Sequence, residues 1–213
     1  MVSDPGRIFL LSPADCSGKR ATLLSSSAAD FDLARQMRTP PGAELGEVFS
    51  FVSSLYFRGK LAYATAFARP PSSSGNLSGA YVITPADGLR SPESRITTRD
   101  LRRYARVSVD PAESRYRLPF LRDLEALAEK AGDAEIVLLG SIASGKYAEL
   151  LTLVLGRRLL FPEDFVGRGD MSRGGLMLRC ARDGRELRYV ALIEAERRGP
   201  RPARLPPLET PRS

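Results

Sequence analysis

Short apolar runs alternate with amphipathic segments along most of this chain. Three runs are short, rich in Val, Ile and Leu, and followed by polar turns, as expected of buried strands: Arg7 to Ser12, Ala80 to Thr84 and Glu135 to Gly140. Apolar residues recur at helical spacing in Leu45 to Ala68 and in Pro119 to Ala131. This alternation predicts an α/β fold, with a mostly parallel central sheet flanked by helices.

Weaker patterns predict the remaining elements. Within the tract Leu45 to Ala68 we expect two helices that are joined or kinked at Gly59. A helical turn is predicted over Lys19 to Leu24, and further helices up to Met37, over Arg99 to Arg106 and over Ser144 to Leu155. Arg157 to Phe161 is predicted to be a short strand or an extended segment.

The C-terminal part has a different pattern. Leu176 to Ala181 and Glu186 to Ile193 flank Asp183-Gly184, which is a strong hairpin signal and predicts an antiparallel hairpin at the edge of the sheet. From Arg197 onward the chain has five Arg, five Pro and one Glu, which predicts a disordered tail. We therefore expect a single α/β domain over residues 1–196 and a tail over 197–213.

Length and composition narrow the class of protein. A chain of 213 residues with 43% apolar and 27% charged residues is typical of one globular domain. No apolar stretch approaches the ~20 residues of a membrane span, and no signal peptide is visible. Two cysteines are too few for a disulfide framework, so we expect a cytoplasmic protein without a membrane partner.

Charge and missing residue types narrow the function. The net charge is +7, and 28 of the 32 basic residues are Arg, which suits phosphate contacts with DNA or RNA or reflects only genome composition. Because the chain has no His, Ser-His-Asp triads, Cys-His pairs and His-ligated metals are excluded within it. The sequence predicts no metal site and points to no cofactor.

Two Ser-Gly-Lys turns follow predicted strands. Since carboxyl ends of parallel strands share one edge, Lys19 and Lys146 should face one anion-binding crevice. Residues 140–146 match the Gly-x₄-Gly-Lys pattern, but Tyr147 stands where a nucleotide-hydrolysing loop needs Ser or Thr for Mg²⁺. Two alternatives remain: a magnesium-free anion cradle with Ser144 and Lys146, or a plain Ser144 cap with a solvated Lys146.

Cys16 is the candidate nucleophile. It stands in a turn with Ser17, Lys19 and Arg20, whose charges and backbone N–H groups should lower the pKa of a thiol. The alternative is a small side chain that packs inside a turn.

Two other strings carry candidate site residues. The first string is GRGDMSRGG, residues 167–175, in which Arg168 and Arg173 can bind a phosphate or carboxylate between them. Asp170 can orient one of these arginines or act as a base. The alternative is that the string is a mobile loop that leads into the hairpin. The second string is YFRGK, residues 56–60, in which Arg58 and Lys60 stand beside aromatic residues. Such a surface can stack a base and bind its phosphate. The alternative is that the aromatic residues belong to the core.

Several motifs, taken in order, resemble those of YaaA-like proteins and of the archaeosine synthase core domain. They are LLSPADCSGKRATLLSSSAADFDLARQM, SFVSSLYFRGKLAYATAF, VITPADGLRSP, IVLLGSIASGKYAELL and GRGDMSRGGLMLR. The resemblance implies an α/β fold associated with DNA or tRNA, including DNA binding in oxidative-stress defence or modification of a deazaguanine base. It also implies a site at Ser12, Cys16, Ser17 and Lys19. The archaeosine motif has an aromatic residue and a His after its Lys, where this chain has Arg20 and Ala21.

Taken together, these features predict a nucleic-acid-associated protein. Its strand-end turns would bind a phosphate or a modified base, in a role in base modification or the response to DNA damage. One alternative is a small-molecule transferase that acts on a nucleotide or another anionic metabolite through Cys16 or Asp170. Another is an interaction module that uses its Arg-rich tail.

Overall fold

A central six-stranded sheet organises the molecule. The computed structural model describes residues 6–71, 77–143 and 145–205. The strands are β1 (Arg7–Leu11), β2 (Ala43–Glu44), β3 (Ala80–Ile83), β4 (Leu89–Arg90), β5 (Arg95–Ile96), β6 (Glu135–Leu139), β7 (Leu159–Pro162) and β8 (Tyr189–Ala191). The sheet order is β4-β3-β1-β6-β7-β8, and β2 pairs with β5 in a separate two-stranded antiparallel sheet.

Seven α-helices lie within the described residues. They are α1 (Lys19–Leu24), α2 (Asp32–Arg38), α3 (Leu45–Phe67), α4 (Thr98–Tyr104), α5 (Ser114–Lys130), α6 (Ala148–Leu155) and α7 (Asp170–Asp183). The predicted α/β class is therefore confirmed, and α1 has the predicted bounds. The helix predicted from Pro119 begins earlier, at Ser114, and the one predicted from Ser144 begins later, at Ala148.

The four inner strands β3, β1, β6 and β7 run parallel. Leu11 at the end of β1 is in register with Val82 on one side and with Leu139 on the other. Ile8, Phe9, Leu10 and Leu11 are fully buried, as expected for a central strand covered on both faces. The chain therefore leaves β1, β3 and β6 at one edge of the sheet, where the candidate turns lie.

Helix α3 is broken, but not at the predicted position. Ser54 has φ 51° and ψ −130°, so the helical path is interrupted there, whereas Gly59 lies inside the second helical part. A positive φ is strained for a non-glycine residue, and such strain often accompanies a functional site. The break lies two residues before Tyr56, which belongs to the site described below.

The predicted C-terminal hairpin is wrong in its first arm. Leu176 to Ala181 belongs to helix α7, which ends at Gly184 in the left-handed conformation with φ 62°. The Asp183-Gly184 pair is therefore a helix end and not a hairpin turn. The predicted antiparallel edge exists, but β8 pairs with β7, the segment predicted as extended over Arg157 to Phe161. Cys180, expected in a strand, lies in α7.

The segment 197–205 has no regular secondary structure. It lies beside the start of α7, where Arg168 Nη1 donates to the Ala203 carbonyl at 3.5 Å and Leu205 packs against the core. Residues 206–213 lie outside the described residues, so the disordered tail stays a prediction. In the part of the chain that the structure describes, no helix combines the length and apolar composition needed to cross a membrane.

Candidate functional site

A polar crevice of about 760 Å³ opens at the carboxyl ends of β1, β3 and β6. Its walls come from six segments that are far apart in sequence but meet at this edge of the sheet, one of which is Pro85 after β3. The others are residues 12–17 after β1, Ser53 and Tyr56 of α3, residues 104–109 after α4, Ser141, Lys146 and Tyr147 after β6, and Asp170 at the start of α7. The position agrees with the rule that ligands of α/β sheets bind outside the carboxyl ends of strands.

The turn after β1 is held by Asp15. Its Oδ1 accepts hydrogen bonds from the Ser17 amide at 3.0 Å and from the Ser17 hydroxyl at 2.7 Å. Donation from the Ser17 hydroxyl is the main cause that lowers the pKa of Asp15, and the nearby Lys146 acts in the same direction. The Ser17 N–H is therefore already engaged by a carboxylate and does not offer a cradle for an anion.

The turn after β6 is held by Tyr147. The Tyr147 hydroxyl accepts from the Ser141 amide at 2.9 Å and donates to the Ser141 carbonyl at 2.8 Å. Tyr147, which stands where a nucleotide-hydrolysing loop has Ser or Thr, therefore bonds back to the start of its own loop. Ser144, predicted as a ligand or cap, lies outside the described residues.

The two turns approach each other, but their lysines do not. Lys146 lines the crevice, and its charge reaches Asp15 across it. Lys19 is exposed on α1 and is not among the residues that line the crevice. The predicted pairing of Lys19 with Lys146 over one pocket is therefore wrong, because α1 carries Lys19 away from the opening.

Below the crevice, Lys60 is fully buried and contacts Ser12. Its Nζ donates to the Ser12 carbonyl at 2.7 Å and lies 2.9 Å from the Ser12 Oγ. The same ammonium lies 4.4 Å from the centre of the Tyr56 ring and 4.8 Å from that of Phe57. Burial lowers the pKa of Lys60 to about 7, and Asp170 opposes this shift. Lys60 therefore exchanges its proton near neutrality.

Gly140 makes the approach of Ser12 to Tyr147 possible. A β-carbon on Gly140 would lie 2.8 Å from the Ser12 Cβ and 2.9 Å from the Tyr147 hydroxyl. A side chain there would push apart the two hydroxyl groups that line this side of the crevice.

The Tyr56 hydroxyl is buried in the crevice wall without a partner. It makes no hydrogen bond among the described residues, although an unpaired buried hydroxyl is costly. Burial raises the pKa of Tyr56, and the neighbouring Arg173 guanidinium opposes the rise without reaching hydrogen-bond geometry. Tyr56 therefore stays protonated at neutral pH and can donate to a ligand in the crevice.

Asp170, the first residue of α7, lines the crevice, whereas Arg168 and Arg173 do not. The Asp170 side chain is 62% exposed and lies 3.7 Å from the buried Arg173 Nη1. Arg173 donates through Nε and Nη2 to the Phe165 carbonyl, at 3.1 and 3.0 Å, so its guanidinium supports the loop before α7. Arg168 lies elsewhere, with its Nε 2.9 Å from the Asp164 carbonyl. The predicted clamp of Arg168 and Arg173 around one anion is wrong.

Cys16 lies in the crevice wall, but its environment is the reverse of the predicted one. The residue is 6% exposed, and its Sγ–H points to the Ala14 carbonyl at 3.5 Å. Burial raises the pKa of the Cys16 thiol to about 12, and the Asp15 charge adds to the rise. The expected lowering of its pKa is wrong, because burial and the Asp15 carboxylate both raise it.

The predicted base-stacking surface does not form. Lys60 faces the interior, Phe57 is fully buried and only Arg58 of the string is exposed. Arg20, the other cation predicted near Cys16, is exposed and stacks 4.7 Å from the centre of the Phe51 ring. The alternative of a core role for these aromatics is therefore the one the structure supports.

A second cavity adjoins the crevice and is lined by arginines. Its volume is about 750 Å³, and Arg106 and Val107 belong to both openings. The remaining lining residues are Ala86, Arg99, Arg102, Arg103 and Arg115. We call this cavity the arginine groove.

Carboxylates and carbonyls position part of the arginine groove. Arg103 makes a two-pronged contact with Asp87, at 2.5 and 2.7 Å, and Arg115 binds Glu113 at 2.6 Å. Arg102 Nη2 donates to the Ser25 carbonyl at 2.7 Å. Arg99 and Arg106 are exposed and belong to no ion pair of the described residues, so their charges remain available to an anion.

The sequence interpretation missed both Lys60 as part of the site and the arginine groove. Tyr56 and Lys60 are four residues apart, which places them on one helix face, and this spacing was the available signal for Lys60. For the groove, the signal was the density of arginine in and after α4, where Arg99, Arg102, Arg103 and Arg106 follow a capping box made by Thr97 and Asp100.

Comparisons with known proteins add no family to these observations: no family model, no curated protein and no solved structure matches the chain. The residues that the structure describes also contain no group of three or more Cys, Asp or Glu placed to hold a metal ion. The function must therefore be argued from the crevice and the arginine groove themselves.

Proposed function

We propose that this protein binds nucleic acid, with phosphates in the arginine groove and one base or nucleotide in the crevice. The observation that carries the proposal is that the two cavities are neighbours and share Arg106 and Val107 in their walls. A strand that lies along the groove would bring a neighbouring nucleotide to the opening between Tyr56, Asp15 and Lys146.

The groove suits a nucleic-acid strand because five arginine side chains line it, whose stems form a mostly apolar surface while their guanidinium groups are available to backbone phosphates. Arginine binds phosphate oxygens in two-pronged geometry, and pre-positioned guanidiniums lose less side-chain freedom on binding. Asp87 and Ser25 pre-position Arg103 and Arg102. Arg99 and Arg106 supply charge that no carboxylate of the described residues neutralises. Backbone cradles at the two turns do not contribute, since Asp15 and Tyr147 occupy their N–H groups.

The crevice suits one nucleotide because it combines acceptors, donors and cations. Asp15 and Asp170 accept hydrogen bonds from base or sugar groups, the unpartnered Tyr56 hydroxyl donates one, and Lys146 meets a phosphate. Bringing a base out of a duplex costs a few kcal/mol, and least where the strand is already single. We therefore expect single strands to bind at least as tightly as duplexes.

Binding of labelled duplex DNA, single-stranded DNA and RNA across a salt series tests the proposal. Log affinity should fall linearly with log salt concentration. Arg99→Gln and Arg106→Gln should each reduce that slope by about one and weaken binding to all sequences. Arg157→Gln is the matched control. Arg157 lies just before β7, at the amino end of the parallel strands and away from both cavities, and it pairs with Glu194.

Two results would overturn this function. One is no binding of any of the three nucleic acids at low salt. The other is an equal loss in Arg157→Gln, or a loss only in the double variant Arg201→Gln with Arg204→Gln. The second outcome would assign the contacts to the C-terminal segment or to general surface charge.

The alternative of a transferase through Cys16 is not favoured by the thiol's environment. A protonated, buried thiol is a poor nucleophile. Asp170 keeps access to the crevice, but no described group would hold it as a base at a reacting atom.

A further inference from the structure

We propose that Ser12 and Lys60 form a nucleophile–base pair that hydrolyses carboxylic esters in the crevice. Ser12 is the nucleophile, and Lys60 takes and returns its proton. The inference does not depend on the proposed phosphate contacts, which belong to the arginine groove.

The first support is the position of Ser12. It is the residue directly after the central strand β1, and its amide donates to the Leu139 carbonyl of β6 at 3.1 Å. The sheet therefore fixes its backbone, while its side chain lines the crevice. A nucleophile fixed at the end of a buried strand needs little reorganisation to meet a substrate.

The second support is the Lys60 amine. It lies 2.9 Å from the Ser12 Oγ, within reach for direct proton transfer. No carboxylate of the described residues lies at ion-pair distance from this amine, although buried lysines are rarely found without a charged partner. The groups that face it are the Tyr56 and Phe57 rings from α3, Ser12 directly after β1, and the charge of Asp170 from α7. Burial brings its pKa to about 7, so a neutral base is present at ordinary pH.

The third support is the orphaned Tyr56 hydroxyl. Acyl transfer needs a donor for the oxygen that becomes negative in the transition state, and tyrosine hydroxyls serve in this role. Tyr56 is buried, stays protonated and has no partner among the described residues. A carbonyl oxygen held by Tyr56 would satisfy it.

The reaction proceeds in two balanced stages. Ser12 Oγ attacks the ester carbonyl carbon while neutral Lys60 accepts the hydroxyl proton; the carbon–oxygen bond to the alcohol then breaks, and the Lys60 ammonium protonates the departing oxygen. Water next attacks the acyl-serine and gives its proton to Lys60, which returns it to Ser12 as the acid leaves. Ester and water become acid and alcohol. Lys146 and Arg106 at the opening favour esters that carry an anionic group.

Labelling of the full chain with a fluorophosphonate tests the pair, because this probe forms a phosphorus–oxygen bond to an activated serine and releases fluoride. We expect one adduct, mapped by mass spectrometry to Ser12, and release of nitrophenol from a nitrophenyl ester. Ser12→Ala should abolish both, whereas Ser114→Ala, an exposed serine outside the crevice, should retain both. The labelling rate should rise with pH through a midpoint near 7.

Lys60→Met keeps the aliphatic stem and removes the base, so labelling should fall on the order of a hundredfold. If this variant does not fold, as judged by its thermal transition, the pH profile of the wild-type protein decides. The proposal is overturned by the absence of an adduct on Ser12, by an adduct that persists in Ser12→Ala, or by a Ser12 labelling rate that does not change with pH. Nucleic-acid binding would survive each of these failures.

Discussion

Gly59 of α3 and Gly174 of α7 lie in direct backbone contact. A β-carbon on Gly59 would lie 2.5 Å from the Gly174 carbonyl oxygen, and one on Gly174 would lie 2.6 Å from the Leu55 carbonyl oxygen. Because neither residue has a side chain, the two helices cross closely enough for Asp170 and Arg173 to influence Lys60 and Tyr56. The crevice floor therefore depends on this crossing.

Gly174→Ala should destabilise the protein by about 1–3 kcal/mol, because the added methyl group meets backbone atoms that cannot rotate away. Gly175→Ala is the matched control on the same helix. Its β-carbon meets only the Leu205 side chain, at 3.7 Å, and alanine favours a helix interior by about 1 kcal/mol over glycine. Urea unfolding of both variants measures the difference. Equal stabilities would contradict a closed contact at Gly174.

The free energy of unfolding should rise with pH between 7 and 8 because of Lys60. Its pKa falls from 10.5 in the unfolded chain to about 7 in the folded one, so in this range the unfolded chain binds one more proton. The slope for a full proton is about 1.4 kcal/mol per pH unit. Below pH 7 both states are protonated and the contribution to the slope disappears. Above pH 8 the cysteines of the unfolded chain, whose ordinary pKa is 9.0, lose protons that the folded protein keeps, and this opposes the rise.

Lys60→Met should remove this slope, whereas Lys19→Met, at an exposed lysine of α1, should keep it. Chemical unfolding at several pH values measures each slope. A wild-type curve parallel to that of Lys60→Met across the range would mean that Lys60 keeps its charge in the folded protein.

The parallel sheet could be predicted from the sequence because its strands are buried on both faces. Continuous apolar runs such as Ile8 to Leu11 and Ile136 to Leu139 have few other stable places in a soluble fold. Helix α7 was harder, since Gly174 and Gly175 are poor helix formers and Asp183-Gly184 suits either a hairpin or a helix end. The close crossing with α3, which needs Gly174, is a tertiary effect that no local pattern carries.

The sequence predicted where the candidate site lies in the fold, but not which side chains are charged and accessible there. Turns after β1 and β6 meet because the strands are parallel neighbours. Whether a lysine beside such a turn faces solvent or the interior depends on what packs over it, and here α7 covers Lys60. Cys16 is likewise desolvated, although its neighbours in the sequence are polar or charged. Burial therefore reverses the roles that adjacent charges in the sequence suggested.

Asp87→Asn should lower the free energy of unfolding at neutral pH by about 1 kcal/mol. Burial opposes ionisation of Asp87, but hydrogen bonds from Arg103 and Tyr104 together outweigh it and lower its pKa. A lowered carboxylate pKa stabilises the fold above its unfolded value of 3.8, and this contribution is lost as pH falls through the folded value. The difference between wild type and variant should therefore shrink in acid.

Thermal unfolding of both proteins at neutral pH and below pH 4 measures this difference. Asp133→Asn is a suitable control, because Asp133 is exposed in the turn before β6. A difference that is unchanged in acid would show that Asp87 acts through its shape and not through its charge.

Cys16 should react slowly with thiol reagents in the folded protein. Only the thiolate attacks such reagents, and a pKa of about 12 in place of 9.0 reduces the thiolate fraction at pH 8 on the order of a thousandfold. Burial adds a barrier to access. The measurement is the alkylation rate in a Cys180→Ala background, so that only Cys16 reports, with the chain unfolded in urea as the reference. Alkylation of the folded protein as fast as that of the unfolded chain would restore Cys16 as a candidate nucleophile in the crevice wall.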